Sequence, residues 1–167
     1  MNPLNLNRLN INSPYSVWEV GDGAYGFKTN FDVLYRIVFI PDQTIWQEGA
    51  YEFGILNENR KPSPNDKLLR ETIFRIIEEF FLSNPEILLY QCETGDNRQA
   101  MRDRLFLRWF SEYVNSDKYC IKVAEIIAEG ISNYAAVIVQ RSNPNLKEIL
   151  SDFDEFVSFF KEKPTIQ

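Results

Sequence analysis

The sequence predicts an α+β fold, with a mainly antiparallel sheet of six or seven strands and three amphipathic helices packed on one face. Four strand-like segments fill the first third of the chain, and three later segments carry apolar residues at helical spacing. The elements follow the order four strands, helix, strand, helix, two strands, helix. Runs of consecutive strands favour antiparallel neighbours, and helices outside those runs favour an α+β arrangement.

The first 14 residues are expected to form an N-terminal arm, followed by a single α+β domain over residues 15–163. Five of the first twelve residues are Asn, and four others are Leu or Ile. The apolar residues could dock the arm on the body and the Asn residues could leave it flexible, so both alternatives stay open. We find no linker, repeat or low-complexity block that would divide the rest of the chain.

The N-terminal strands are predicted from turn residues and from alternating apolar residues. Residues 15–20 and 24–28 predict a hairpin, because Gly21-Asp22-Gly23 between them is typical of a tight turn. In residues 31–40, the odd-numbered and the even-numbered positions are both mostly apolar. Both faces of this strand should therefore be buried, which indicates a central strand. Residues 50–56 predict the fourth strand.

The middle of the chain predicts two helices separated by one strand. The first helix begins at Asn65 or Asp66, since either side chain can cap a helix, and it stops before Pro85. The short apolar run 87–92 predicts a buried strand. A stripe of apolar residues at helical spacing predicts the second helix over residues 96–114.

The C-terminal third predicts a strand pair followed by a helix. Residues 119–129 and 131–141 are interpreted as two strands that meet at Gly130, although the first of them could also be helical. The terminal amphipathic helix begins at Asn143, which is followed by a proline suited to the first helical position. It ends at Pro164.

The composition excludes several classes of site. The 167 residues include no His and two Cys. The chain alone therefore cannot form a Ser-His-Asp or Cys-His nucleophile, a zinc site that needs His, or a four-thiolate zinc site. We predict no metal and no cofactor, and we favour a protein that is not an enzyme.

The charge and the cysteines bear on partners and location. A net charge of −6 argues against broad, sequence-independent DNA binding. Charges interrupt every apolar run, so no membrane span is predicted, and the first residues do not resemble a secretory signal. Two Cys in apolar segments suit reduced thiols, which predicts a cytoplasmic protein.

One stretch, residues 92–108, could carry chemistry because it contains a predicted strand end, a Gly-containing loop and a helix start. A helix N-terminus favours anions. At 100° per residue, Arg98 and Arg102 share the apolar face, where a guanidinium needs an anionic partner. That partner is either an internal carboxylate or a bound phosphate or carboxylate. The candidate anion-binding residues are Arg98, Arg102, Thr94, Gly95 and Asn97.

A sharper alternative uses the spacing Cys-x5-Arg from Cys92 to Arg98. This spacing resembles the phosphate loop of the cysteine-dependent phosphatases, in which the Cys thiolate attacks phosphorus and the Arg binds the phosphoryl oxygens. The resemblance covers seven residues. It departs from the family pattern at Gln91 and Gln99, and Glu93 puts negative charge where phosphate would lie.

The leading functional hypothesis is an intracellular, non-enzymatic binding domain that acts through a partner macromolecule, most simply another protein. The predicted partner surface is Trp46, Arg104 and Arg108, whereas Trp18 and Trp109 are interpreted as core residues. An exposed apolar patch around Trp46 or on the open face of the sheet would support this hypothesis. The alternatives are phosphatase-like chemistry in loop 92–98, and binding of nucleotide or nucleic-acid phosphate by the Arg-rich helix.

The run ILLYQCETGDNRQAMRDRLFLRWFSEY, with the later strand pair and the Asn-Pro-Asn start of the last helix, resembles a known family. That family consists of small, uncharacterised bacterial proteins of Bacteroidetes type that share a domain of unknown function. The resemblance covers residues 15–160. It implies a single intracellular domain and this order of elements, and it implies no activity.

Overall fold

A computed structural model describes residues 1–92, 106–110, 112, 117–128 and 130–161. The strands of the described residues are β1 Val17–Gly21, β2 Ala24–Lys28, β3 Leu34–Pro41, β4 Ala50–Asn57, β5 Ile87–Cys92, β6 Tyr119–Ala128 and β7 Ile131–Gln140. The helices of the same residues are α1 Leu6–Asn12, α2 Lys67–Ser83, α3 over residues 106–110, and α4 Leu146–Lys161.

The seven strands of this described part form one sheet in the order β1-β2-β3-β4-β5-β7-β6. The pairs β1–β2, β2–β3, β5–β7 and β6–β7 are antiparallel, and β4–β5 is parallel. The predicted α+β class with a mainly antiparallel sheet is confirmed. Residues 119–128 form a strand, which decides between the two readings of that segment.

The chain divides into two compact units. The first unit contains Met1–Ile40 and Phe53–Glu86, and the second contains Pro41–Glu52 and Ile87–Gln167. Each unit has its own set of buried apolar side chains, and we describe them separately.

In the first unit, one face of the strands packs against α2. Phe39 of β3 stacks on Phe80 of α2 with ring centroids 4.7 Å apart, and it also contacts Phe53. Helix α2 begins where the sequence predicts, because the Asp66 side chain accepts a hydrogen bond from the Leu68 N–H. Its buried stripe consists of Leu69, Ile73, Ile76, Ile77 and Phe80.

Helix α1 lies inside the predicted N-terminal arm, and the sequence analysis did not identify it. The Asn5 side chain caps it by accepting a hydrogen bond from the Arg8 N–H. Leu9 is buried, and the Arg8 guanidinium binds the buried carboxylate of Glu79 on α2. A seven-residue helix has little stability of its own, so these tertiary contacts explain why it forms.

In the second unit, helices cover both faces of β5. Leu89 belongs to a buried cluster that includes Phe153 of α4. The next residue, Tyr90, contacts Phe106 of α3 with ring centroids 4.9 Å apart. Because successive side chains of a strand point to opposite faces, α3 and α4 lie on opposite faces of this strand. The sequence predicted all helices on one face of the sheet, whereas at β5 they lie on both faces.

Strands β6 and β7 form a long regular hairpin in the second unit. Ten consecutive residue pairs connect them, from Tyr119–Gln140 to Ala128–Ile131. Gly130 lies in the turn with φ +76°, a conformation that L side chains rarely adopt. The prediction that the two strands meet at Gly130 is confirmed.

Candidate functional site

The candidate site is the face of the first unit's strands that points away from α2. Tyr25, Phe27, Ile37 and Phe39 are buried on the α2 side, so the residues between them point to the other side. Several side chains lie on that side, and we use the name open face for five of them: Trp18, Arg36, Val38, Ile40 and Leu56.

The Trp18 side chain lies against the backbone of the neighbouring strand. It pairs with Gly26 across β1 and β2. A Cβ atom added to Gly26 would lie 2.8 Å from Trp18 Nε1 and 2.9 Å from Trp18 Cε2, so the indole occupies the space of the missing side chain. A glycine inside a strand often marks such a close approach.

A second glycine accommodates Val38 in the same way. A Cβ atom added to Gly54 of β4 would lie 2.8 Å from Val38 Cγ2. Val38 also pairs with Ala24 of β2, which is small. The two glycines and the alanine leave room on the open face for the side chains of Trp18 and Val38.

The open face is apolar apart from one ion pair. Arg36 Nη2 lies 2.6 Å from Glu58 Oε1, and both side chains are partly exposed. This pair contributes little to stability, since partly exposed ion pairs are worth about 0–1 kcal/mol. Arg36 Nε is shielded from solvent and bonds no described group.

Large apolar side chains of the open face are exposed to solvent. Trp18 is 41% exposed and Leu56 is 49% exposed, and Ile40 is exposed at the end of β3. Several large apolar side chains exposed on one face of a sheet can form a binding surface. The arrangement offers apolar contact, an indole and a guanidinium, which suits recognition of another macromolecule and provides no nucleophile.

Sequence reasoning did not assign this surface to particular residues. It interpreted Trp18 as a core residue, and that interpretation is wrong because Trp18 lies on the outer side of an edge strand. The available signal was Gly26, which lies between Tyr25 and Phe27 inside a predicted strand. A glycine there leaves room for a neighbouring side chain to lie across the strand.

The structure places two of the predicted partner residues. Trp46 is half-buried against the apolar cluster of the second unit, and its Nε1–H donates to Asp152 Oδ2 at 2.9 Å. Arg108 is exposed on α3 and pairs with Glu112 at 3.0 Å. That Trp46 and Arg108 contact a partner remains a prediction.

The predicted anion site cannot be placed as a whole. Cys92 is the last residue of β5, and its backbone pairs with Tyr134 of β7. The Cys92 side chain lies outside the described residues, as do Thr94, Gly95, Asn97, Arg98, Arg102 and Arg104. The strand that precedes the predicted loop is therefore confirmed, and the loop itself stays a prediction.

The described part of the chain contains neither a metal-ligand cluster nor a membrane-spanning helix. No three Cys, Asp or Glu side chains within it are close enough together to hold a metal ion. No helix within those residues is long and apolar enough to cross a membrane.

The fold is thus an α+β sheet protein with an exposed apolar face, and comparison with known proteins adds its family. Residues 65–155 match the family described as a family of unknown function, DUF6169. The match covers more than half of the chain, so the protein belongs to this family. The matched segment begins just before α2 and ends within α4, so the open face precedes it. No curated protein matches the chain.

Proposed function

We propose that the protein is a non-enzymatic, cytoplasmic binding domain that recognises a partner protein through the open face. The observation that carries the proposal is the exposure of Trp18 and Leu56 on a nearly apolar sheet surface. Tryptophan is enriched at the centres of protein interfaces, because it offers a large apolar area together with one hydrogen-bond donor.

The distribution of charge on the open face supports a protein partner. The Arg36–Glu58 pair is balanced, so this surface presents no excess of positive charge to attract phosphates. A depletion of unpaired charges at the centre and a polar rim are typical of protein interfaces. Lys28, on the same side of β2, is paired with Asp32 at 2.5 Å.

The test is affinity capture from the native cell extract with the full chain as bait. Leu56→Asp places a charge on the open face and is expected to abolish capture of the partner. Leu82→Asp is the matched control, since Leu82 is 66% exposed on α2 and does not belong to the open face. A partner captured equally by both variants, with circular dichroism showing both folded, contradicts the proposal.

A further inference from the structure

We infer that the edge of β6 that pairs with no strand of the described residues is a second docking site, where an extended, basic segment of a partner protein adds as a further strand. The inference depends on the second unit alone and is independent of the open face. Variants of β6 and variants of Leu56 therefore test the two proposals separately.

The backbone of β6 directs half of its polar groups away from the sheet. The Arg141 N–H donates to the Lys118 carbonyl at 2.8 Å, in register with the ladder that starts at Tyr119–Gln140. Hydrogen-bonded and non-hydrogen-bonded pairs alternate in an antiparallel ladder. The even-numbered residues of β6 therefore bond β7, and the N–H and C=O groups of Ile121, Val123 and other odd-numbered residues point outward.

The strand β6 lacks three of the devices that usually protect an edge strand, namely short length, a bulge and proline. Edge strands are normally short, bulged or interrupted by proline, because outward backbone groups attract other strands. The opposite edge of the sheet follows this rule, since β1 has five residues and an irregular register between Glu19 and Gly21. By contrast, β6 pairs over ten residues with no shift and contains no proline. Among the described residues, β7 is its one strand neighbour.

The side chains beside the outward groups are apolar and exposed. Val123 is 46% exposed and Ile127 is 63% exposed, and both lie on the same face as Ile121. An added strand that places apolar residues on this face would cover them. In strand addition, backbone hydrogen bonds provide affinity and alternate side chains provide specificity.

The charges near the edge select a basic segment as the occupant. Glu125 is exposed on β6, where it accepts a hydrogen bond from Tyr134, and exposed Asp154 of α4 lies on the other face of the strand, next to Lys122. Lys122, the one basic residue of β6, is already bound to Asp154. Lysine or arginine in an added strand would find carboxylates on both faces of the sheet.

A second copy of the chain fits this edge poorly. Two identical antiparallel edge strands are related by a twofold axis perpendicular to the sheet, so both copies of α4 would lie on one face. Asp154 of both copies would then lie on that same face. Each chain also carries a net charge of −6, so self-association is opposed by repulsion.

The probe is a synthetic ten-residue peptide in which Ile or Val alternates with Lys, acetylated and amidated at its ends. Its binding to the full chain is measured by fluorescence anisotropy. We expect saturable binding that is at least tenfold weaker when Glu replaces every Lys. Two N-methylated peptides, each blocked at one alternate set of amides, separate strand pairing from mere apolar adhesion. One set is expected to abolish binding and the other to retain it.

The matched protein variants are Val123→Pro and Val123→Thr. Proline at 123 removes an outward N–H and no bond to β7, so the fold is expected to remain and peptide affinity to fall at least tenfold. Threonine keeps the donor and should bind as the natural chain does. If Val123→Pro does not fold, the N-methylated peptides decide the question. Equal binding of both methylated peptides, no binding of any, or a twofold dimer by light scattering that Val123→Pro dissociates would overturn the inference.

Discussion

The indole of Trp18 lies over the α-carbon of Gly26, so closely that a Cβ atom on Gly26 would be 2.8 Å from Trp18 Nε1. This relationship shapes the open face, because the largest side chain of β1 occupies the space next to the backbone of β2 where Gly26 has no side chain.

Gly26→Ala is expected to displace the Trp18 ring and to lower the free energy of unfolding by about 1–2 kcal/mol, as overpacking does elsewhere. Urea titration measures the loss. Gly21→Ala is the matched control, since no atom lies within 4 Å of the Cβ that it would add. Tryptophan emission should shift to longer wavelength in Gly26→Ala. In a Trp18→Phe background, Gly26→Ala should cause no such shift. An unshifted spectrum would show that the ring does not lie on Gly26.

Glu79→Ala is expected to destabilise the first unit by about 1–3 kcal/mol and to release α1, because several hydrogen bonds are lost together. Glu79 is buried and accepts from the Arg8 guanidinium and from the Asn5 N–H. Glu78→Ala removes a neighbouring, exposed carboxylate that pairs with Arg75, and it should change stability by less than about 0.5 kcal/mol. Hydrogen exchange of α1 amides distinguishes the two variants, and equal protection would count against this role of Glu79.

Stability is expected to fall above pH 10 through Tyr15. Burial, and secondly its hydrogen bond to Asp66, raise the pKa of Tyr15 above its ordinary value of 10.0. The unfolded chain therefore loses this proton at lower pH than the folded chain does. The stabilisation is complete below pH 10 and declines as the pH rises toward the folded pKa.

Tyr15→Phe checks this assignment, because it removes the titrating group and keeps the ring. The Tm of the natural chain should decline between pH 9 and pH 11 more steeply than that of the variant. Tyr25, whose pKa is also raised by burial, keeps part of the slope in both proteins. Parallel Tm profiles would rule out a contribution from Tyr15.

The proposed non-enzymatic function predicts that Cys92 carries no phosphatase chemistry. In a Cys120→Ser background, alkylation of Cys92 should require unfolding, and phosphate or vanadate should not change its rate. Hydrolysis of p-nitrophenyl phosphate should be the same for the natural chain and for Cys92→Ser. Activity that Cys92→Ser abolishes would support the Cys-x5-Arg alternative instead, and Arg98→Ala would then test the phosphate clamp.

Most strands and helices could be predicted because their signals are local. Asp66 before a stripe of apolar residues marks the start of α2, and Gly130 between two apolar runs marks the hairpin of β6 and β7. Local signals do not report tertiary contacts. Helix α1 was missed because it depends on Glu79, about seventy residues away in the sequence.

The candidate site was harder to predict than the fold. Whether an aromatic residue on a strand is buried depends on which elements cover each face, and Trp18 has no local mark that separates core from surface. The placement of α3 and α4 on opposite faces of β5 was hard to predict for the same reason, because Leu89 and Tyr90 are both apolar and buried. The register of the whole sheet decides which of them meets each helix.

The most direct test of the central claim is site-specific photo-crosslinking in living cells. A benzophenone amino acid replaces Leu56 on the open face in one protein and Leu82 on α2 in the other, both of which are well exposed. The account predicts one discrete protein adduct at position 56 and none of the same mass at position 82. Identical adducts at both positions, or none at position 56 while an adduct forms at position 82, would contradict the claim that the open face recognises a partner.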